Sequence, residues 1–143
     1  NGVKITLMGN IDDLPEKTRK EVKRSIELTR NNTKLHFNIA LSYGSRNEIL
    51  TAVKRIINDY ENNKINIDEI SEESFKKYLY TCGMPDPDLL IRTSGEERLS
   101  NFLLYQLAYS EFYFTEVLWP DFDKQELLKA IENFQNRKRR YGN

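Results

Sequence analysis

The chain has few of the features that mark exported, membrane-spanning or nucleic-acid-binding proteins. Its 143 residues include one cysteine, Cys82, so no internal disulfide can form, which favours a reducing compartment. No apolar run approaches the roughly 20 residues that a membrane-spanning helix needs, and no signal peptide is recognisable. We therefore expect a cytoplasmic protein.

The charges are also balanced, with 22 basic and 22 acidic residues and a formal net charge of zero. Proteins that bind nucleic acid or anionic membranes in general usually carry a basic excess, so we expect no nucleic-acid partner. Apolar residues make up 38% of the chain, and the 15 Phe and Tyr residues are too many for a disordered chain. The length suits one modest domain.

Short apolar segments alternate with segments of helical periodicity along the chain. The strongest helix signal follows the S-x-x-E capping box of Ser45 and Glu48, where apolar residues recur at helical spacing from Ile49 to Tyr60. Asp123 predicts the N-cap of a last helix. The predicted strands cover residues 3–8, 34–41, 89–91 and 111–118. This alternation predicts a layered α/β fold with a mostly parallel sheet flanked by helices.

Residues 89–101 (LLIRTSGEERLSN) combine a strand end, a glycine turn and a predicted helix start. The strand ends at Arg92, and Gly95 can adopt the positive φ of a tight turn. Residues 101–109 are apolar nearly all round and predict a buried helix, with Ser100 as its N-cap. The free amides of a helix N-terminus bind anions, so this segment predicts an anion site.

Two arginines, Arg92 and Arg98, lie beside this predicted anion site. Arginine holds phosphate oxygens bidentately, so the pair favours a diphosphate pocket. The same arginines would equally form ordinary salt bridges with Glu96, Glu97 or Glu111. The residue pattern alone leaves both interpretations open.

Four segments, in this order, resemble motifs of the cis-prenyltransferases, which build Z-configured polyprenyl diphosphates such as undecaprenyl diphosphate. They are residues 38–44 (NIALSYG) with Arg46, 85–91 (PDPDLLI), 92–106 (RTSGEERLSNFLLYQ) and 110–122 (SEFYFTEVLWPDF). The resemblance runs over nearly all 143 residues and corresponds to the C-terminal half of the family's domain.

The resemblance implies an undecaprenyl diphosphate synthase-like reaction. Members of the family condense isopentenyl diphosphate onto an allylic diphosphate, such as farnesyl diphosphate, with Mg²⁺ as cofactor. The residues that would hold the diphosphate of isopentenyl diphosphate are Arg92, Arg98, Ser100 and the backbone of Leu99. Glu111 would be the magnesium ligand.

The resemblance also implies a homodimer. The terminal Arg140-Tyr-Gly142 is similar to the family's R-x-G tail, which reaches the active site across the dimer interface. A basic, frayed helix end would explain the same residues, because cations stabilise the C-terminus of a helix. The lipid product of such enzymes implies peripheral contact with a membrane.

Some family features are absent from these residues. The D-G-N-G-R-W-like loop, which carries the catalytic aspartate, does not occur, so we expect residues 1–143 to be the C-terminal portion of a single cis-prenyltransferase domain. Glu97 stands where the family often has histidine. A non-catalytic subunit, or an inactive fragment of the same fold, is the alternative to an active prenyltransferase. The presence of Arg92, Arg98, Ser100 and Glu111 together favours the enzyme, since a purely accessory subunit need not have that set.

Overall fold

The computed structural model describes residues 2–137, which contain parallel strands and helices joined by turns and loops. The strands are β1 (Val3–Met8), β2 (Leu35–Ala40), β3 (Leu89–Arg92) and β4 (Glu111–Phe114). The α-helices are α1 (Glu16–Thr29), α2 (Ser45–Glu61), α3 (Glu72–Lys76) and α4 (Lys124–Gln135). Short 3-10 helices cover Ile11–Asp13, Ile67–Glu69 and Trp119–Asp121. The chain forms two compact units, the first ending at Pro85 and the second beginning at Asp86.

In the first unit, β1 and β2 form a parallel pair that α1 connects. The register runs from Val3 opposite Leu35 to Met8 opposite Ala40. A parallel pair needs a crossover connection, which is usually a helix. The end of α1 is fixed to β1, because the Ile5 N–H donates to the Thr29 hydroxyl at 3.0 Å.

Helix α2 begins as the sequence predicts but without the predicted capping box. Its N-cap is Gly44, with no side-chain cap bond, so the prediction of Ser45 as the cap is wrong. Glu48 is only 2% exposed and points into the unit. Its carboxylate accepts hydrogen bonds from the Tyr43 hydroxyl and, at 2.8 Å, from the Tyr80 N–H. These donors draw Glu48 away from the start of the helix.

In the second unit, β3 and β4 form another parallel pair, with Leu89 opposite Glu111 and Arg92 opposite Phe114. Helix α4 packs against β4. Its predicted cap is confirmed, because Asp123 accepts hydrogen bonds from the N–H groups of Gln125 and Glu126 at 2.8 and 3.0 Å.

The predicted buried helix over residues 101–109 is wrong in conformation but right in burial. The segment is a succession of turns, because Ser100, Asn101 and Leu103 have φ values of 47°, 64° and 45°. These left-handed torsions are incompatible with a right-handed helix. Leu103 and Leu107 are nevertheless buried in the core. Ser100 is therefore not a helix N-cap.

The parallel strands and helices confirm the predicted α/β class. The prediction that residues 1–143 belong to a single domain stays a prediction. No helix within residues 2–137 is long and apolar enough to cross a bilayer.

Candidate functional site

The turn after β3 is held in place by hydrogen bonds to the chain that follows β4. The Ser94 N–H donates to the Val117 carbonyl and the Gly95 N–H to the Thr115 carbonyl, both at 2.9 Å. Gly95 has a φ of 67°, and a Cβ there would lie 2.5 Å from Glu116 Oε2. Glycine thus allows both the left-handed turn and the close approach of the neighbouring carboxylate. The same pairing ends β4 earlier than the predicted 111–118, because the chain beyond Phe114 bonds this turn irregularly.

A cleft of about 370 Å³ lies beside the turn, within the second unit. Its volume is within the range of small-molecule pockets. Two of the predicted diphosphate-binding residues, Arg92 and Leu99, are among its lining residues, together with Glu96 and Phe102. The side chain of Arg92 makes no hydrogen bond or ion pair with residues 2–137. A half-buried guanidinium without a partner, at the wall of a cleft, is suited to binding an anionic ligand.

Arg98 and Ser100 lie on the exposed side of the same segment. The Arg98 side chain is 66% exposed and forms an ion pair with the Glu96 carboxylate. The salt-bridge interpretation therefore describes Arg98 in this structure, whereas it does not describe Arg92. Ser100 is exposed. Neither Arg98 nor Ser100 lines the cleft.

Glu111, the predicted magnesium ligand, is the first residue of β4 and is bound by an arginine from beyond α4. Arg137 Nη1 donates to Glu111 Oε2 at 2.7 Å. Both side chains are about one-third exposed, at 33% for Arg137 and 34% for Glu111. The other carboxylate oxygen, Oε1, has no hydrogen-bond partner among the described residues.

The Glu111 carboxylate is suited to act as one ligand of a magnesium ion, though not to form a magnesium site by itself. Residues 2–137 contain no cluster of three or more His, Cys, Asp or Glu side chains that could hold a metal ion. Mg²⁺ usually binds one or two carboxylates, and takes its other oxygens from substrate phosphates and water. Glu111 could supply one such carboxylate oxygen through Oε1.

The sequence did not predict the contact between Arg137 and Glu111. The basic neighbourhood of Arg137 predicts only a helix end, and its contact with Glu111 spans 26 residues of sequence. Such a contact has no local signature, because it depends on how α4 packs against β4. Arg140, the predicted tail residue, lies outside the described residues.

The parallel strand pairs and helices of residues 2–137 define an α/β protein. Arg92, which has no partner among those residues, lies at a strand end beside a cleft. The family model described as "Putative undecaprenyl diphosphate synthase" matches residues 1–142. The chain belongs to this family, the cis-prenyltransferases. The resemblance found in the sequence motifs is thereby confirmed.

Two relatives that the chain matches are named as an isoprenyl transferase and an undecaprenyl-diphosphate synthase, in agreement with the family model. The chain is 51% identical over 142 residues to an isoprenyl transferase of Clostridium perfringens, covering 99% of this chain and 56% of the relative. It is 53% identical over 140 residues to the ditrans,polycis-undecaprenyl-diphosphate synthase ((2E,6E)-farnesyl-diphosphate specific) of Micrococcus luteus, covering 98% and 56%. The chain thus spans about half the length of these curated relatives.

A solved structure confirms the fold. The structure is similar to that of lavandulyl diphosphate synthase from Lavandula x intermedia in complex with dimethylallyl diphosphate, with a TM-score of 0.95 and 38% identity. The match covers 99% of this chain and 61% of that one. The roles of Arg92, Arg98, Leu99, Ser100, Glu111 and Arg140 stay predictions.

Proposed function

We propose that the protein containing this chain is an isoprenyl diphosphate synthase of the undecaprenyl diphosphate synthase type. It condenses isopentenyl diphosphate onto an allylic diphosphate such as farnesyl diphosphate and forms a Z double bond. Family membership over residues 1–142 supports the reaction class. The observation that supports a binding role for this chain is Arg92 at the wall of the cleft, where its side chain has no partner among residues 2–137.

In this proposal the cleft holds the diphosphate of isopentenyl diphosphate. Arg92 supplies a guanidinium that has no partner to give up within the described part of the chain, and the backbone of Leu99 supplies a further contact at the cleft wall. Arg98 and Ser100 do not line the cleft but belong to the same segment, and Arg98 would exchange Glu96 for phosphate oxygens when the diphosphate binds. Binding at fixed positions accelerates the reaction because it converts an encounter of two substrates into a local step.

The proposed reaction balances without an oxidant or reductant. The bond between the allylic carbon and the diphosphate oxygen breaks, and pyrophosphate leaves with the bonding electrons. The double bond of isopentenyl diphosphate supplies the electron pair of the new carbon–carbon bond, and loss of a proton restores a double bond. Bound Mg²⁺ would offset the charge on the departing diphosphate. The part of this chain is to hold the isopentenyl diphosphate and to offer Glu111 as a ligand.

The cofactor, assembly and compartment form part of the same proposal. Glu111 Oε1 supports Mg²⁺ as the cofactor, because carboxylate oxygens are its usual protein ligands. Tyr109 and Trp119, which are 95% and 73% exposed, support a homodimer, because large aromatic side chains are enriched at interfaces. The lone Cys82 supports a reducing compartment such as the cytoplasm.

Kinetics with the complete natural polypeptide test this proposal. Wild-type protein, farnesyl diphosphate, Mg²⁺ and radiolabelled isopentenyl diphosphate should give labelled polyprenyl diphosphates. Arg92→Ala should raise the KM for isopentenyl diphosphate at least tenfold, because a charge-assisted contact contributes about 1.5–3 kcal/mol. The KM for farnesyl diphosphate should change much less.

A matched control comes from Arg30→Ala, which removes an exposed arginine paired with Glu27 in the first unit. This variant should behave as wild type. A wild-type protein that makes no product would contradict the proposal and favour a non-catalytic subunit. Equal effects of Arg92→Ala and Arg30→Ala would contradict the binding role of the cleft.

A further inference from the structure

Arg137 joins the C-terminal end of α4 to the strand that carries Glu111. Besides its bond to Glu111 Oε2, its Nη2 donates to the Phe112 carbonyl at 2.8 Å. Its Nε and Nη2 donate to Asn133 Oδ1 at 3.0 and 2.9 Å. The guanidinium is thus held by a backbone group of β4 and by a side chain of α4, and it binds the carboxylate from this fixed position.

We propose that Arg137 is a positioning residue for the metal: it fixes the Glu111 carboxylate through Oε2 and so presents Oε1 to Mg²⁺. This inference deepens the proposed function and depends on Glu111 being a ligand. No sequence motif assigned a role to Arg137. The assignment comes from the hydrogen bonds that the guanidinium makes to three different groups.

The geometry favours positioning over simple competition between Arg137 and the metal. Competition would require the guanidinium to leave before the carboxylate could bind a cation. Here Arg137 contacts a single carboxylate oxygen, so within residues 2–137 nothing occupies Oε1 while the ion pair persists. Two further anchors, Phe112 and Asn133, would hold the guanidinium in place after the metal binds.

The charge of Arg137 opposes a bound cation, but orientation should outweigh it. Both Arg137 and Glu111 are about one-third exposed, so water and salt screen the repulsion between guanidinium and metal. A freely rotating glutamate would instead have to be ordered by the metal itself. Residues that hydrogen-bond to metal ligands typically change metal affinity by about 10- to 100-fold when they are replaced.

Mn²⁺ serves as the probe, because free Mn²⁺ can be measured directly by electron paramagnetic resonance. The complete polypeptide is titrated with Mn²⁺ in the presence of isopentenyl diphosphate, and the relevant site is the one lost in Glu111→Gln. Arg137→Ala should weaken the Kd of this site by about tenfold or more. The Mg²⁺ concentration for half-maximal activity should rise in parallel, while kcat at saturating Mg²⁺ should largely recover.

Asn133→Ala separates positioning from charge, because it removes one anchor of Arg137 and leaves the guanidinium in place. It should weaken Mn²⁺ binding in the same direction as Arg137→Ala, though less. Arg137→Lys should restore only part of the affinity, because an ammonium lacks the planar fork of donors. Lys129→Ala removes a cation from the same helix, where it pairs with Glu126, and should bind Mn²⁺ as wild type.

Unchanged or tighter Mn²⁺ binding in Arg137→Ala would overturn the inference. Should Arg137→Ala fail to fold by circular dichroism, wild-type affinity in both Asn133→Ala and Arg137→Lys would overturn it instead. If the wild-type protein makes product and the variants show the same metal dependence as wild type, the inference about Arg137 is refuted and the proposed function is not. A wild-type protein without product would refute the proposed function, and absence of a Glu111-dependent Mn²⁺ site would refute the role of Arg137.

Discussion

The ion pair between Arg98 and Glu96 sets how readily Arg98 can bind a diphosphate. The Arg98 side chain is 66% and the Glu96 side chain 38% exposed, so water competes for both. An exposed ion pair contributes only about 0–1 kcal/mol. A hydrogen bond to a charged phosphate oxygen contributes about 1.5–3 kcal/mol. The diphosphate should therefore displace Glu96 rather than be excluded by it.

These magnitudes predict opposite effects for the two partners. Arg98→Ala should raise the KM for isopentenyl diphosphate by about 10- to 150-fold, the equivalent of losing one charge-assisted contact. Glu96→Gln should lower this KM by up to about fivefold, because it removes a competitor worth at most about 1 kcal/mol. In the Arg98→Ala background, Glu96→Gln should lose its effect, since no guanidinium remains to be released.

The assay is steady-state incorporation of labelled isopentenyl diphosphate at fixed farnesyl diphosphate and Mg²⁺. Glu27→Gln is the control, because it breaks a comparable exposed pair with Arg30 in the first unit. A rise in KM on Glu96→Gln would refute the reasoning, since it would show that the carboxylate positions Arg98 instead of competing for it. An unchanged KM in Arg98→Ala would show that Arg98 does not contact the substrate.

Three further predictions concern the fold and the cofactor. Gly83 has a φ of +79°, and a Cβ there would meet no atom within 4 Å, so Gly83→Ala should cost about 1–2 kcal/mol of unfolding free energy from backbone strain alone. Gly9→Ala should cost about 1–3 kcal/mol more, because its Cβ would lie 2.0 Å from the Leu41 carbonyl oxygen. Equal urea midpoints for the two variants would contradict that clash. Glu48→Ala should cost about 2–6 kcal/mol of unfolding free energy, because it leaves the Tyr43 hydroxyl and the Tyr80 N–H without their acceptor. Glu48→Gln should cost clearly less, and equal losses of stability in urea would contradict this. Chelation with EDTA should abolish product formation and added Mg²⁺ should restore it, whereas full activity in EDTA would exclude the proposed cofactor.

The sequence predicted those elements whose signals are local. Short apolar segments predicted β1 and β2, and helical spacing predicted α2. The cap at Asp123 was predictable because its hydrogen bonds reach only the next turn of α4. The motif resemblance identified the family, because several segments match in the correct order.

The predictions that failed depend on contacts or torsions that a local pattern does not encode. Residues 101–109 carry the apolar composition of a buried helix, but left-handed torsions at Ser100, Asn101 and Leu103 break the segment into turns. Glu48 has the spacing of a capping box, but donors from elsewhere in the first unit bind its carboxylate. Burial was predictable in the first case because it depends on composition, whereas the conformation was not.

For the candidate site, too, the sequence predicted residues that belong to motifs but not the contacts that depend on packing. Arg92 and Glu111 were predicted as site residues from their motif positions, and the structure adds that Arg92 lines a cleft while Glu111 binds Arg137. The ion pair of Arg98 with Glu96 was one of two open interpretations, because residues two positions apart in a turn can pair or diverge. The link through Arg137 required the packing of α4 on β4.

The stereochemistry of the condensation product tests whether the complete polypeptide catalyses a Z-type condensation. The complete polypeptide would be incubated with farnesyl diphosphate, Mg²⁺ and ¹³C-labelled isopentenyl diphosphate, and the new double bonds examined by ¹³C nuclear magnetic resonance. A cis-prenyltransferase should give a lengthened polyprenyl diphosphate whose added units are all in the Z configuration. A product with E-configured additions, or no incorporation of the label, would contradict the proposed function.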